Sequence, residues 1–318
     1  MTTTERLHAQ LPHTLRSTDF PALGEKYQGK VRDVYRHGDR LVLITTDRLS
    51  AFDHVLTTLP FKGDLLNQLA HFWFQKTAHV AKNHVIDKPD PCVTVAKRAE
   101  PYAIEFVVRA YLTGSLWRDY EKGADPYALK LPPGLKKDSK FEKPILTPST
   151  KAPVGTHDEP LSVADVVKRG TMTQKQWDEA SAVALALFAE GQKQAAARGL
   201  IFVDTKYELG NVKGELHVID EMHTPDSSRY WVASEYAARF AAGEPQKMLD
   251  KENLRQWLIN ERGFSGHGAL PSIPDDVRVG LTEKYLAAYE QITGTSFALE
   301  VGDVRGRLEK NLRAAKLL

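Results

Sequence analysis

The sequence has a single cysteine and almost no net charge. Cys92 is the one cysteine among 318 residues, which excludes an internal disulfide and a cysteine-rich zinc site and favours a reducing compartment. The 43 basic and 41 acidic residues give a formal net charge of +2, which argues against an electrostatic nucleic-acid binder. Apolar runs of membrane-spanning length and the apolar core of a signal peptide are also missing. We therefore expect a soluble cytoplasmic protein without nucleic-acid or membrane partners.

A chain of this length can bury a large core, which predicts two lobes or one large α/β body. The stretch Leu200–Trp231 predicts a β-hairpin with its polar side chains on one side. Asp204, Lys206 and Glu208 alternate along the first strand and so share one face. Glycines after that strand predict the turn. If the turn closes symmetrically, Asp220 of the returning strand lies directly opposite Asp204.

Three carboxylates on this face repel one another, and Lys206 alone does not balance them, so a further cation is needed. Oxygen ligands without a nearby cysteine favour Mg²⁺, which takes one or two carboxylates together with phosphates and water. A solvated sheet face with a surface ion pair is the alternative. The next turn favours the metal, since Asp226, Ser228 and Arg229 are suited to fixing a phosphate or a carboxylate.

Two other places carry residues for binding anions. Gly29 and Lys30 stand at a strand end, where glycine lets backbone amides approach phosphate oxygens and lysine adds charge. Taken alone, this pair is better explained by an ordinary turn, because such pairs are common in turns and the full P-loop pattern is missing. Arg109 interrupts an apolar run, and a buried arginine requires an anion. An internal carboxylate would satisfy it, but the neighbouring Gly114 and Ser115 favour a phosphate.

Polar residues also follow a strand that the sequence predicts at residues 41–46. Asp47, Arg48, Ser50 and Asp53 stand there, either as part of a site or as the residues of a turn. The two interpretations are equally well supported by the pattern.

Between these strands and the hairpin, the sequence predicts a long loop followed by a long helix. Residues 122–162 are rich in proline and glycine, which indicates a functional loop or an insertion. Its candidates for lining a substrate site are Thr150-Lys151 and His157-Asp158-Glu159. The second group could also indicate a metal, but a helix-capping role is the simpler interpretation of Glu159. A capping box formed by Thr173 and Gln176 predicts the start of the helix.

Seven stretches together resemble the signature segments of the SAICAR synthetase family, in that family's order and over roughly the first three quarters of the chain. They are GKVRDVY, TDRLSAFD, KGDLLNQ, VVRAYLTGS, TPSTKA with HDE, VDTKYELG and VIDEMHTPDSSR. The length and the proline-rich stretch look like the larger, yeast-like members.

The resemblance implies an α+β, two-lobed fold with antiparallel sheets, a kinase-like N-terminal lobe and an ATP-grasp-like C-terminal lobe. We accordingly expect an N-terminal lobe with the glycine-lysine phosphate loop at residues 1–112. A central lobe with the hairpin follows at 113–234, and a C-terminal helical segment packed on it at 235–318.

The resemblance also implies an ATP-dependent ligase of de novo purine biosynthesis. This enzyme joins the carboxylate of 5-amino-1-(5-phosphoribosyl)imidazole-4-carboxylate (CAIR) to the amine of L-aspartate through an acyl phosphate, giving SAICAR, ADP and phosphate. A small-molecule kinase on a related nucleotide-binding body and a regulatory module without catalysis are the alternatives. The oligomeric state is left open, a monomer included.

Matched motifs imply roles for single residues. The catalytic candidates are Lys206, Asp204 and Lys30, with Asp204 as the candidate general base. The ATP-binding candidates are Gly29, Lys30, Lys206 and Glu208, and Asp220 with Glu208 would bind Mg²⁺. The substrate-binding candidates form the largest set, which consists of Arg109, Ser115, Arg229, Ser228, Asp226, Lys151, Asp158 and Asp53.

Overall fold

The computed structural model describes residues 1–52, 54–151, 158–249 and 252–318. The chain divides into two compact units, each with its own antiparallel sheet. Unit 1 contains residues 1–72, 84–98 and 249–318, and unit 2 contains residues 73–83 and 99–248.

The described residues form 13 β-strands and nine α-helices. The strands are β1 (Glu25–Gln28), β2 (Arg32–His37), β3 (Arg40–Thr45), β4 (Arg48–Ala51), β5 (His54–Thr58), β6 (Val85–Asp90), β7 (Val93–Lys97), β8 (Glu100–Tyr111), β9 (Lys140–Leu146), β10 (Ser149–Thr150), β11 (Leu200–Val212), β12 (Glu215–Ile219) and β13 (Ser228–Val232). The helices are α1 (Thr3–Gln10), α2 (Lys62–Lys76), α3 (Gly114–Glu121), α4 (Val163–Lys168), α5 (Gln174–Ala196), α6 (Ala233–Ala242), α7 (Glu252–Arg262), α8 (Asp275–Thr293) and α9 (Val304–Ala314). Over the described part of the chain, none of these helices is long and apolar enough to cross a membrane.

The two sheets have different strand orders. In unit 1 the order is β1-β2-β3-β7-β6, and β4 and β5 form a separate hairpin. In unit 2 the order is β10-β8-β11-β12, with β9 paired to β8 and β13 paired to β11. Strand β11 therefore has β8 along one edge and both β12 and β13 along the other. This α+β architecture with antiparallel sheets agrees with the fold class predicted from the sequence.

Helix α5 covers one face of the unit 2 sheet. It begins at the predicted capping box, in which the Thr173 side chain accepts from the Gln176 amide. Trp177 of α5 stacks on Phe106 of β8, with ring centroids 5.4 Å apart. Phe188 likewise stacks on a phenylalanine of β11 at 4.9 Å. These aromatic contacts make this face of the sheet the core of unit 2, so polar side chains of β8 and β11 belong on the other face.

The predicted turn and register of the hairpin are wrong. Strand β11 continues to Val212, and Lys213 and Gly214 alone form the turn. Both have positive φ, as is common in two-residue turns of β-hairpins. Glu208 consequently pairs with Ile219 rather than with residue 216. Asp220 follows the end of β12 and does not lie opposite Asp204.

The described residues of the loop predicted at 122–162 also contain more regular structure than expected. It contains β9 and β10, which pair with β8, and a short apolar cluster in which Tyr127 packs with Leu112 and Leu116. The stretch is therefore part of unit 2 and its sheet.

Helices α7, α8 and α9 belong to unit 1, whereas α6 belongs to unit 2, so the predicted segment 235–318 is divided between the two compact units. Leu308 and Leu312 of α9 pack with Val42 and Ile44 of β3. A division at residues 112 and 234 would separate these contacting elements, so the compact units group the chain differently from the three predicted segments.

A buried ion-pair network attaches α9 to the sheet of unit 1. Arg307 donates to both carboxylate oxygens of Asp64, at 2.8 and 2.6 Å, and to Asp90 at 3.1 and 3.2 Å. Ligand atoms of Asp64, Asp90 and Cys92 lie within 4.8 Å of one another. Because Arg307 and Asn311 already occupy the carboxylates, the cluster is an ion-pair network. Burial raises the pKa of the Cys92 thiol well above its ordinary value.

Replacing Arg307 with methionine leaves two buried carboxylates without their cation. Removing one partner of a buried ion pair costs about 3–5 kcal/mol, so Arg307→Met should lower the free energy of unfolding in urea by about that amount. Arg313→Met is the matched control on α9, because its pair with Glu309 is exposed and should contribute at most about 1 kcal/mol. Equal losses in the two variants would show that the network does not hold α9.

Candidate active site

The polar face of the unit 2 sheet is formed by facing pairs of residues on β8 and β11. Asp204 pairs with Arg109, and Glu208 pairs with Glu105. Lys206 lies between these two acids on β11. Directly paired residues of antiparallel strands share a face, so the predicted alternation of Asp204, Lys206 and Glu208 is confirmed.

Asp204 binds two arginines from the neighbouring strands. Its Oδ2 accepts from Nη1 of Arg229 at 2.6 Å and from Nη1 of Arg109 at 3.3 Å. Asp204 is 3 % exposed and Arg109 is 6 % exposed. Arg109 also donates to the hydroxyls of Ser115 at 3.1 Å and Thr147 at 2.8 Å. Three of the predicted anion-binding residues, Arg109, Ser115 and Arg229, are thereby brought together.

The start of α3 approaches the same guanidinium groups. Gly114 has a φ of +60°, which favours glycine, and a Cβ at this position would lie 2.6–2.8 Å from guanidinium atoms of Arg229 and would displace them. Thr113, at the N-cap, makes no side-chain hydrogen bond to the first turn in the described structure. Such a helix start attracts anions through its amide groups and its dipole.

Two residues of the 122–162 stretch adjoin the arginines. Tyr127 interacts with the guanidinium of Arg109, whose pKa is lowered by burial, while the charge of Asp204 opposes this effect. Asp138 lies near Arg229, and burial raises the pKa of its carboxyl. Among the described residues, Asp138 Oδ1 is buried without a hydrogen-bond partner.

A second group of charges lies further along the same face. Lys206 Nζ lies 2.5 Å from Glu105 Oε1, and Lys151 forms an ion pair with Glu208. Burial opposes the charge of Lys206, but the carboxylates of Glu105, Glu208 and Glu221 outweigh it and raise the pKa of Lys206. This part of the face is therefore a cluster of acids with two lysines.

A bulge in β11 aligns the arginines with Asp204. Phe202 pairs with Tyr230 and Asp204 pairs with Arg229, so Val203 is an extra residue on β11. The bulge turns Asp204 toward the polar face even though Phe202 faces α5. Ser228 pairs with Thr205 on the α5 face, and their hydroxyls are 2.7 Å apart. The predicted contact of the Ser228 side chain with a substrate is therefore not supported, because this hydroxyl points into the core.

The predicted metal ligands come from neighbouring positions of β11 and the end of β12. Ile219 lies opposite Glu208, and Asp220 follows it with a φ of +66°. Asp226 lies in the turn before β13, where its amide donates to Thr224 Oγ1 at 3.3 Å. Asp158, by contrast, is exposed beside the undescribed residues 152–157.

Gly29 and Lys30 form the turn between β1 and β2 in unit 1. The Gly29 amide donates to Arg32 O at 2.8 Å, which closes the turn. The carbonyls of Gly29 and Lys30 both accept from Arg48, at 3.0 Å each. Asp53, the remaining predicted substrate residue, lies outside the described residues.

A buried pair, Tyr207 and His223, supports the polar face from behind. The Tyr207 hydroxyl and His223 Nε2 are 2.6 Å apart, and Tyr230 donates to the His223 carbonyl at 2.7 Å. Trp73 packs edge-on against the imidazole, with ring centroids 4.6 Å apart. Burial lowers the pKa of His223 to about 3, so a neutral histidine fixes the loop that carries Asp220.

Several residues of this site were not identified from the sequence. Glu105 lies four residues before Arg109 on β8 and so shares its face, which the two-residue period of a strand could have shown. Thr147 and Tyr127 reach Arg109 only because the 122–162 stretch folds back onto β8, and nothing in their local sequence indicates that.

The fold and the site together define a class of enzymes with known members. The chain superimposes on the SAICAR synthase of Saccharomyces cerevisiae complexed with SAICAR, with a TM-score of 0.78 and 30% identity over 90% of this chain and 100% of that one. It also matches a SAICAR synthetase in complex with ADP, with a TM-score of 0.66 and 25% identity over 86% of this chain and 100% of that one.

Sequence comparison gives the same result. Residues 25–267 match the family model described as SAICAR synthetase. A phosphoribosylaminoimidazole-succinocarboxamide synthase of Legionella pneumophila is 44% identical over 311 residues, which cover 95% of this chain and 99% of the relative. The chain belongs to the SAICAR synthetase family. The predicted family, the fold class and the enzyme class, a ligase that forms SAICAR in purine biosynthesis, are confirmed.

The buried histidine predicts a specific dependence of stability on pH. Unfolded His223 has an ordinary pKa of 6.5, so below that pH the unfolded state binds a proton that the folded state excludes. The contribution of His223 to the free energy of unfolding is complete above pH 6.5 and is lost as the pH falls toward about 3. Wild type should therefore lose about 2 kcal/mol more unfolding free energy than His223→Gln between about pH 7 and about pH 5.

The measurement is urea unfolding at both pH values. His267→Gln is the matched control, since His267 is exposed, and it should keep the pH dependence of the wild type. If His223→Gln also keeps the pH dependence of the wild type, His223 binds a proton as readily in the folded protein as in the unfolded one.

Proposed function

We propose that this chain uses ATP to join the carboxylate of CAIR to the amine of L-aspartate through an acyl phosphate. One observation carries the proposal: Arg109 and Arg229 converge on a single carboxylate oxygen of Asp204, beside Ser115 at the start of α3. The solved relatives named above were complexed with SAICAR and with ADP, the products of this reaction, which supports the same reaction here.

The two arginines and Ser115 are assigned to the 5′-phosphate of CAIR. Asp204 holds the two guanidinium groups side by side, because both donate to its Oδ2. A phosphate accepts charge-assisted hydrogen bonds from guanidinium groups, often in pairs. The start of α3, held close to Arg229 by Gly114, adds backbone amides. Asp204 orients the arginines, and its role as the general base stays a prediction.

Activation of the carboxylate explains the need for ATP. A carboxylate oxygen of CAIR attacks the γ-phosphorus, the bond to the β-phosphate oxygen breaks, and ADP leaves. The aspartate amine then attacks the acyl carbon, phosphate leaves with the electron pair of its C–O bond, and the nitrogen releases a proton. Phosphoryl transfer depends mainly on positioning and on neutralising charge, which matches a site rich in lysine and arginine.

The nucleotide residues are assigned within each unit separately. In unit 1, Gly29 and Lys30 would contact phosphates from the β1–β2 turn. In unit 2, Lys206 would supply positive charge, and its neighbours Glu105 and Glu208 keep it protonated.

Mg²⁺ fits the acids at the β11–β12 edge. Glu208 and Asp220 offer oxygen ligands only, the donor set that Mg²⁺ prefers. We propose that these two residues hold the ion, which would neutralise charge on the ATP phosphates. Lys151 already binds Glu208, so it would keep this carboxylate in place and adjoin the substrate. Asp226, Asp158 and Asp53 stay proposed substrate contacts on the resemblance of their motifs alone.

The activity is tested with purified protein, Mg²⁺, ATP, CAIR and L-aspartate. SAICAR should form in amounts equal to ADP, as measured by mass spectrometry and a coupled ADP assay. Omitting aspartate should stop steady ADP release, because the acyl phosphate then has no amine to react with. Sustained ADP release without aspartate, or a stable phosphorylated product, would instead identify a kinase.

The phosphate assignment is tested by Arg229→Ala. Losing a charge-assisted hydrogen bond costs about 1.5–3 kcal/mol, so the KM for CAIR should rise by about tenfold or more. The KM for ATP should change by less than about twofold. Arg118→Ala is the control, because Arg118 is an exposed residue of the same helix as Ser115. A similar rise in both Michaelis constants would mean that Arg229 binds a different phosphate.

A further inference from the structure

Arg48 is a buried cation to which no contact with ATP, CAIR or Mg²⁺ has been assigned. It is the first residue of β4 and is 2 % exposed. A buried guanidinium is costly unless its donors are satisfied. The acceptors that satisfy it therefore indicate what it is for.

The guanidinium of Arg48 spans the β1–β2 turn. Nε donates to Lys30 O at 3.0 Å, and Nη2 donates to Gly29 O at 3.0 Å. Nη2 also donates to Asp33 Oδ1 at 2.9 Å, and Nη1 donates to Arg16 O at 2.7 Å. Two consecutive carbonyls of the turn are thus bound by one planar group.

Thr46 holds the third carbonyl of the same turn. Its amide and its hydroxyl both donate to Val31 O, at 2.9 and 2.8 Å. The three carbonyls of residues 29–31 therefore all accept hydrogen bonds from the short segment that contains Thr46 and Arg48. Asp33 keeps Arg48 in position from the other side, since it also accepts from the Thr18 amide at 2.7 Å.

Fixing these carbonyls fixes the amides of the turn. A trans peptide is planar, and its carbonyl and amide hydrogen point in opposite directions. With the carbonyls of Gly29 and Lys30 directed at Arg48, the amides of Lys30 and Val31 are directed away from it. Successive amides pointing to one side of a turn make a concave site for anions.

We propose that Arg48, together with Thr46, is the positioning residue for the phosphate-binding turn of ATP. It sets the direction of the Lys30 and Val31 amides without touching the nucleotide itself. The proposal rests on the function proposed above, in which Gly29 and Lys30 bind ATP phosphates. A guanidinium is required because its five donors lie in one rigid plane, whereas the ammonium of lysine is a single point on a flexible stem.

Arg48→Lys tests this role while keeping a positive charge beside Asp33. We expect the KM for ATP to rise by about tenfold or more, because a small misplacement of binding groups has large effects. The KM for CAIR should stay within about twofold of the wild-type value. Arg36→Lys is the matched control on β2, where Arg36 forms an exposed pair with Glu25, and both of its Michaelis constants should be unchanged.

A merely structural role gives a different result. If Arg48→Lys lowers the melting temperature but leaves the KM for ATP unchanged well below that temperature, the proposal is wrong. Should Arg48→Lys not fold, Thr46→Val removes one hydroxyl donor to Val31 O and is expected to raise the KM for ATP by about threefold. An unchanged value in Thr46→Val then overturns the proposal.

These outcomes are separate from the failure of the proposed function. If wild-type protein makes no SAICAR, the assigned reaction is wrong. If the wild type is active and the variants bind ATP normally, only the role of Arg48 and Thr46 is wrong. Titration of ADP followed by calorimetry gives the same distinction without turnover, since ADP should bind about tenfold more weakly to Arg48→Lys.

Discussion

The rest of unit 2 depends on the two ion pairs that the Asp204 carboxylate forms. Asp204 joins Arg109 of β8 to Arg229 of β13 through β11, so three strands meet at one oxygen atom. A slip of one residue in either pairing would turn a charged side chain into the aromatic core under α5. The ion pairs and the core therefore specify the same register, and the bulge at Val203 is what lets both be satisfied on one strand.

The sheet of unit 2 thereby separates packing from chemistry. One face holds Phe106, Phe202 and Tyr207 against α5 and His223, and these contacts set the positions of the strands. The other face carries the arginines and lysines, whose side chains need that fixed frame to keep their directions. Rigid strands hold binding groups more accurately than loops do, which explains why a site with so many charges is built largely on β8 and β11.

The two-residue period of strands was enough to predict that Asp204, Lys206 and Glu208 share a face. The capping box was enough to predict where α5 begins. The register was not predictable from the same pattern. Gly210 resembles a turn residue, yet it lies within β11, where a Cβ would come within 2.9 Å of Glu100 O on β8. The two positive-φ residues Lys213 and Gly214 make the turn instead. Motif resemblance identified Arg109 and Arg229, but only the fold shows that they share Asp204, because that contact joins residues far apart in sequence.

Arginine is used in two different ways in this chain. All four of the donor contacts of Arg48 go to acceptors of the protein itself, so its burial is compensated within unit 1. Arg109 and Arg229 instead share one carboxylate oxygen, which is a poor way to stabilise a fold, since buried ion pairs seldom repay their desolvation. We propose that the arrangement in unit 2 serves ligand binding in addition to fixing the strand register, whereas Arg48 shapes a backbone turn.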